Sequence, residues 1–361
     1  MVVTRDMPSF ARYDSNPHSL SDLLLLSDEE LARQDIASVN LLCAEGLPGA
    51  DKIDQTLCLQ TLDQMARRVH QLTNPAVFRR QPERWDRSEG IFRIHAMISV
   101  LQREFGVRYN TAKIPGDVPL DTDDCFIHGI IQGQGGTCGS LPILYAAVGR
   151  RLGYPLKVVA ARGTTYGHLF ARWDDPHGEC FNIEVNNKGF DCPPDDHYRT
   201  GLYTSRPDWE WSGTVLKSMT PQEELAAFMS QRSGCWGHEG GKRLEAEALA
   251  WASALAPHNL VRHEILKRVV NEWDEQLRAL TPPGFPDLYI HYPPRRFPVA
   301  LPEDFERAII GLTVTEFLLK DPINDRRWWE PMRRGAPLSG RPTRVTVQCT
   351  PRGYDVQVSY F

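Results

Sequence analysis

No run in these 361 residues approaches the ~18 consecutive apolar residues that a membrane span requires, and the longest leucine run covers only residues 23–26. The amino terminus also lacks a basic segment followed by an apolar stretch and a small-residue cleavage site. Neither export nor membrane insertion is therefore expected. Excess positive charge is missing too: 41 Lys and Arg stand against 46 Asp and Glu, for a net charge of −5. Nothing here would neutralise a phosphate backbone at scale, so no nucleic-acid partner is expected. The pairs Arg295-Arg296, Arg326-Arg327 and Arg333-Arg334 read as solvated faces. No glycine-rich loop ends in Lys-Ser or Lys-Thr, which removes phosphate-cradling nucleotide chemistry. The eight cysteines lack short paired spacings. That argues for free thiols in a reducing compartment, the cytoplasm by default, over a disulfide framework. Asp124-Cys125 with His128, and Cys180, Cys192 and His197, have ligand-like gaps but not the two close pairs of a structural zinc site. No metal and no cofactor are expected.

What is present is ordinary globular composition, 41% hydrophobic and 24% charged, in a chain long enough to bury a sizeable core. Ser27-Asp-Glu-Glu30 forms a capping box that predicts a helix through about Cys43. Ile53, Leu57, Leu62, Met65, Val69 and Leu72 predict a second helix, and Ile91, Ile94, Ile98, Leu101 and Phe105 a third that Gly106 ends. Leu141, Leu144, Tyr145, Val148 and Leu152 lie at helical spacing until Gly153-Tyr-Pro155. Residues 157–161, 169–173 and 181–185 are short, rich in β-branched and aromatic residues, and separated by turn formers, which predicts three sequential strands. Thr220-Pro-Gln-Glu223 is another capped helix start. Helical patterns follow near 240–255, 261–280 and 302–320, in a tail rich in proline that ends as a hairpin over 344–348 and 355–360.

The chemistry concentrates in Gln132-Gly-Gln134-Gly-Gly136-Thr-Cys138-Gly-Ser140, a glycine-rich turn opening onto the 141–153 helix. A thiolate is the reactive form of cysteine, and the unpaired amides at a helix start favour an anion there. His168 begins the second strand and is the candidate base; Glu184, on the third, is the candidate that orients its ring, with Asp191 as the alternative acid. The Cys138 amide and the side chain of Gln132 or Gln134 are the candidate oxyanion donors. Tyr166, Trp173 and Asn186 are candidates for lining a substrate cleft.

These residues resemble a known family. Gly136-Thr-Cys138-Gly-Ser-Leu-Pro-Ile-Leu-Tyr-Ala-Ala-Val-Gly-Arg-Arg-Leu-Gly-Tyr-Pro155, Gly167-His-Leu-Phe-Ala-Arg-Trp173 and Phe181-Asn-Ile-Glu184 look like the core of the transglutaminase-like superfamily. Within it the chain is similar to bacterial proteins with a helical amino-terminal segment and a tetratricopeptide-like tail. The resemblance implies an α+β, papain-like core in which a nucleophile helix packs on a small antiparallel sheet. It implies Cys138 as nucleophile, His168 as base and Glu184 where the family more often has Asp. The expected division is a tail over 1–20, a helical region over 21–110, the catalytic core over 111–215, tetratricopeptide-like helices over 216–281 and a proline-rich region over 282–361. The expected activity is cysteine-dependent acyl transfer on a protein or peptide-like amide through an acyl-thioester. Water as acceptor would make a peptidase or amidase, an amine a transferase. The rival expectation is a silent scaffold binding a protein partner through its helices.

Overall fold

Side-chain caps set many of the helix starts. In the computed structural model, Ser19 caps α1 (Leu20–Leu23), and Ser27 closes a capping box with Glu30 at α2 (Asp28–Leu31). The structure describes residues 17, 19–113, 119–162, 167–185, 188–200, 203, 205–280, 290–291, 303–320, 342–350 and 353–360. The helix predicted to run on through Cys43 is broken: the chain turns after Leu31 and restarts as α3 (Ile36–Ala44), where Asp35 accepts from the Ala37 amide. Asp35 has a second task that explains the break. Its carboxylate holds the buried guanidinium of Arg151, whose Nε reaches Asp63 at 2.9 Å.

Asp54 then caps α4 (Gln55–Leu72), which buries Cys58, Leu62, Met65, Ala66 and Val69. Leu57 and Leu72, predicted on the same stripe, are exposed. The chain continues through α5 (Pro75–Arg80), α6 (Glu89–Glu104), α7 (Thr122–Cys125), α8 (Ile127–Ile131) and α9 (Leu141–Arg151). Gly153, at φ +74°, turns the chain out of α9 in a conformation that favours glycine.

Three antiparallel strands follow in the order β1 (Leu156–Arg162), β2 (Gly167–Asp174), β3 (Cys180–Ile183). Paired residues share a face, so the register Val158 to Ala171 and Ala161 to His168 sorts the side chains. Leu156, Val158, Ala171, Trp173 and Ile183 join Leu141, Leu144, Tyr145 and Val148 of α9 in the main core, which draws on residues from Leu23 to Ala256. Val159, Ala161 and Phe170 point the other way, into a second cluster with Tyr198, Trp209, Val215, Leu216 and Val261. The small sheet is therefore covered on both faces. This helix-rich arrangement with a three-stranded antiparallel sheet is an α+β fold.

Beyond the sheet come α10 (Pro207–Trp211) and α11 (Pro221–His238), the latter opened by the Thr220–Glu223 capping box. Then α12 (Lys242–Leu255) packs on α11, and α13 (Leu260–Leu280) packs on α12. The tail adds β4 (Ile290–His291), α14 (Glu303–Lys320) and the hairpin β5 (Pro342–Thr350) with β6 (Gly353–Tyr360), joined as a second sheet in the order β4-β5-β6. Among the described residues no helix is long and apolar enough to cross a membrane.

The Arg151 ion pairs join α3, α4 and α9, and the Asp35 side chain is 5% exposed while that of Asp63 is 50% exposed. Arg151→Met strands a buried carboxylate and is expected to cost about 3–5 kcal/mol in urea unfolding. Asp63→Asn breaks only the solvent-facing pair and is expected to cost under about 1 kcal/mol. Equal losses would contradict Asp35 as the anchor.

Candidate active site

Cys138 lies on the turn that leads into α9, and main-chain contacts from several elements fix that turn. Gly136 donates its amide to Arg108 O at 2.9 Å and accepts from the Asn110 amide at 2.7 Å. A Cβ at position 136 would come within 2.7 Å of Ile130 and 2.9 Å of Leu141, so the approach requires glycine. Thr137 Oγ1 and Ser140 Oγ both donate to the Asp124 carbonyl at 2.8 Å. The Gly139 amide donates to Thr137 Oγ1 at 3.1 Å, and Gln231 Nε2 from α11 donates to Gly139 O at 2.7 Å. Pro142 is the second residue of α9, within the first turn, where amides have no intrahelical partner; its missing N–H leaves no bond unmade.

His168 opens β2 on the face opposite α9, and it is buried. Its Nε2 meets Glu184 Oε1 at 2.7 Å, and the Cys138 thiol lies near enough to the ring to help raise its pKa. Glu184 lies just past β3, on the face shared with His168. Its backbone exchanges two hydrogen bonds with Asp191 at 2.9 and 3.0 Å. Asp191 itself is exposed, and the acid that reaches the imidazole is Glu184. A fourth group completes the chain: the Tyr198 hydroxyl donates to the same Glu184 Oε1 at 2.6 Å.

Electrostatics in this cluster favour a charged imidazole. Burial pulls the His168 pKa down, but hydrogen bonds with Cys138 and Glu184 and the negative charge they bring outweigh it, and the value rises to about 9. Two half-buried tyrosines stand beside the thiol. The Tyr203 ring centroid is 4.8 Å from that of His168. Tyr109 pairs with Gly136 across an isolated bridge, and burial, then the nearby Cys138 sulfur, pushes its pKa up to about 12.

The other sequence candidates lie elsewhere or outside the described residues. Gln132 and Gln134 are exposed on the turn after α8. Trp173 is corrected outright: it sits at the far end of β2 on the α9 face, buried between Tyr154 and Phe181 at 5.5 and 5.9 Å. Residues five apart on a strand point to opposite faces, so Trp173 does not share the His168 cleft. Tyr166 and Asn186 lie outside the described residues. Among the described residues no three His, Cys, Asp or Glu side chains converge as metal ligands. Asp124 instead binds Lys113 at 2.7 Å and Asn110 at 3.1 Å, and His128 binds Asp123 at 2.9 Å.

Sequence reasoning missed Tyr109, Tyr198, Tyr203 and Gln231. Only Tyr198 carried a local signal, following the acidic pair Asp195-Asp196 shortly after the third strand. The others reach the site from coil or from a distant helix.

The raised His168 pKa has a stability consequence. The folded protein holds this proton above the ordinary histidine value of 6.5, so the stabilisation is fully present below pH 6.5 and is lost as pH rises through about 9. The unfolding free energy of wild type minus that of His168→Gln should therefore stay flat up to about pH 6.5 and fall between there and about pH 9, as read by denaturant titrations across that range. Parallel curves over this window would refute the charged imidazole.

A family profile described as the transglutaminase-like superfamily matches residues 56–227. No curated protein and no solved structure matches the chain. The matched span holds α4 to α9, all three strands of the first sheet, and Cys138, His168, Glu184 and Tyr198. Residues 56–227 of this chain are a transglutaminase-like superfamily domain.

Proposed function

We propose that this protein is a cysteine-dependent acyl-transfer enzyme acting on an amide or ester carbonyl of a protein or peptide-like substrate. The observation that carries the reading is the 2.7 Å pairing of His168 with Glu184 beside the Cys138 thiol. The Cys138 sulfur, as thiolate, attacks the carbonyl carbon and forms a tetrahedral oxyanion. The Cys138 backbone amide, at the start of the turn into α9, is the donor assigned to that oxyanion. The intermediate collapses, the C–N bond breaks, and imidazolium His168 gives its proton to the departing amine, leaving a thioester on sulfur. Neutral His168 then takes a proton from the acceptor, whose oxygen or nitrogen displaces the thiolate. Glu184 holds the ring in the required tautomer throughout.

Water is the acceptor favoured here, giving a peptidase or amidase, because the sequence offers no second aromatic tunnel for an incoming amine. The papain-like description of the core belongs to the same proposal, supported by a nucleophile turn at the start of α9 and a histidine and acid on adjoining strands. The packed helices α11 to α13 support a tetratricopeptide-like reading of that region, and the described cysteines are free thiols, in keeping with a cytoplasmic location.

The test is alkylation by iodoacetamide near neutral pH with mass-spectrometric mapping of each cysteine. Cys138 is expected to react at least about tenfold faster than the exposed Cys180, and His168→Ala to abolish that advantage. Labelling of Cys138 no faster than Cys180 would favour the scaffold reading, in which the helices bind a partner and the site is silent.

A further inference from the structure

Glu184 is one methylene longer than an aspartate, and a longer arm has more rotamers to lose when it is fixed. Its side chain is 14% exposed, so solvent competes for the carboxylate. One hydrogen bond to an imidazole does not hold such a group in a single place. The second donor on Oε1 does: Tyr198 is fully buried, and its ring stacks on Phe170 with centroids 4.3 Å apart and planes within 4°.

The backbone carrying Tyr198 is fixed as well. It lies in the 3-10 turn Asp195–Arg199, whose first residue accepts from Arg172 at 2.6 Å and from Asn182 at 2.8 Å. Arg172 Nε also donates to Asn182 Oδ1 at 2.7 Å, and Asn182 reaches Pro193 O at 2.9 Å. These two side chains share the sheet face of His168 and Glu184. The same face thus supplies the base, the acid and the anchor for the turn that steadies the acid. Both donors meet on one oxygen, at 2.7 and 2.6 Å, so rotation of the carboxylate away from either one loosens both.

We propose that Tyr198 is a positioning residue of the site, its hydroxyl locking Glu184 Oε1 against His168 Nε2. The inference rests on the reading of Cys138, His168 and Glu184 as a working series. The Tyr198 hydroxyl remains a donor through the alkaline range, because burial and then the Glu184 charge raise its pKa.

The test is a pH titration of the His168 ring by NMR in full-length protein labelled with carbon-13 histidine, the resonance assigned through His168→Gln. Wild type is expected to titrate near 9. Tyr198→Phe, which removes one oxygen, is expected to lower that value by about one pH unit as the carboxylate swings toward solvent. Tyr154→Phe, a hydroxyl deletion on the opposite side of the sheet, is the control and is expected to leave it unchanged. Should Tyr198→Phe fail to fold, Asp195→Ala, which frees the turn carrying Tyr198 from Arg172 and Asn182, serves in its place and is expected to lower the value in the same direction. An unshifted His168 in the folded variant, or an equal fall in the Tyr154 control, overturns the proposal. Slow alkylation of wild-type Cys138 would defeat the proposed activity instead, and the ring titration would still decide the role of Tyr198.

Discussion

The backbone carbonyl of Asp124 is the point on which the site is built. It accepts from the hydroxyls of both Thr137 and Ser140, the residues on either side of the Cys138-Gly139 pair. A buried carbonyl has two lone pairs, and here both are used within one short turn. Each bond contributes only about 1 kcal/mol net, but loss of either hydroxyl leaves a buried acceptor short of a partner, which costs more. The turn therefore has one low-energy shape. Asp124 is held in turn by Lys113 and Asn110, and Asn110 pairs through its amide with Gly136. The position of the sulfur follows from this closed circuit and from Gln231 of α11, more than from the helix it introduces.

The second requirement is a charge in a nearly dry place. Taking an imidazolium out of water is unfavourable, and burial alone would neutralise His168. The Glu184 carboxylate on Nε2 and the nearby Cys138 sulfur outweigh that penalty and raise the His168 pKa. The sheet makes this possible by serving two cores at once. Its α9 face takes Val158, Ala171 and Ile183 into the main core, while the face with Val159 and Phe170 carries the polar series under the cover of Tyr198 and Trp209. Because the strand period is two, one three-stranded sheet buries an apolar face and presents a reactive one without additional elements.

This division also explains what was legible in the sequence. The capping residues Ser27 and Thr220, the glycine stops and the alternation of the three strands act over a few residues, and the corresponding elements start or stop where local rules put them. The helix break after Leu31 was invisible because its cause, Arg151, is far away in sequence. Leu57 and Leu72 fit a helical stripe but fall at its edge, where α4 meets no partner layer to cover them. Trp173 was misread although strand parity alone separates it from His168. Tyr109 and Tyr203 reach the thiol from irregular segments, whose placement depends on the finished tertiary structure. The site's order along the chain, thiol then imidazole then acid, was readable from chemistry; the groups that steady those three were not.

The glutamate at position 184 shows why such supporting groups matter. Fixing a glutamate side chain costs up to about 1.5–2 kcal/mol of rotamer entropy. A hydrogen bond to a charged group contributes about 1.5–3 kcal/mol, so one bond to His168 barely exceeds that cost and the second, from Tyr198, secures it. The second donor also lies on a ring that cannot follow the carboxylate, since Phe170 stacks against it and the Arg172–Asp195 pair anchors its turn. Rigidity therefore passes from the sheet through Asp195 and Tyr198 to Glu184, and from there to the base. A longer acid is tolerated at this position because the fold supplies a fixed donor where the extra methylene would otherwise supply freedom.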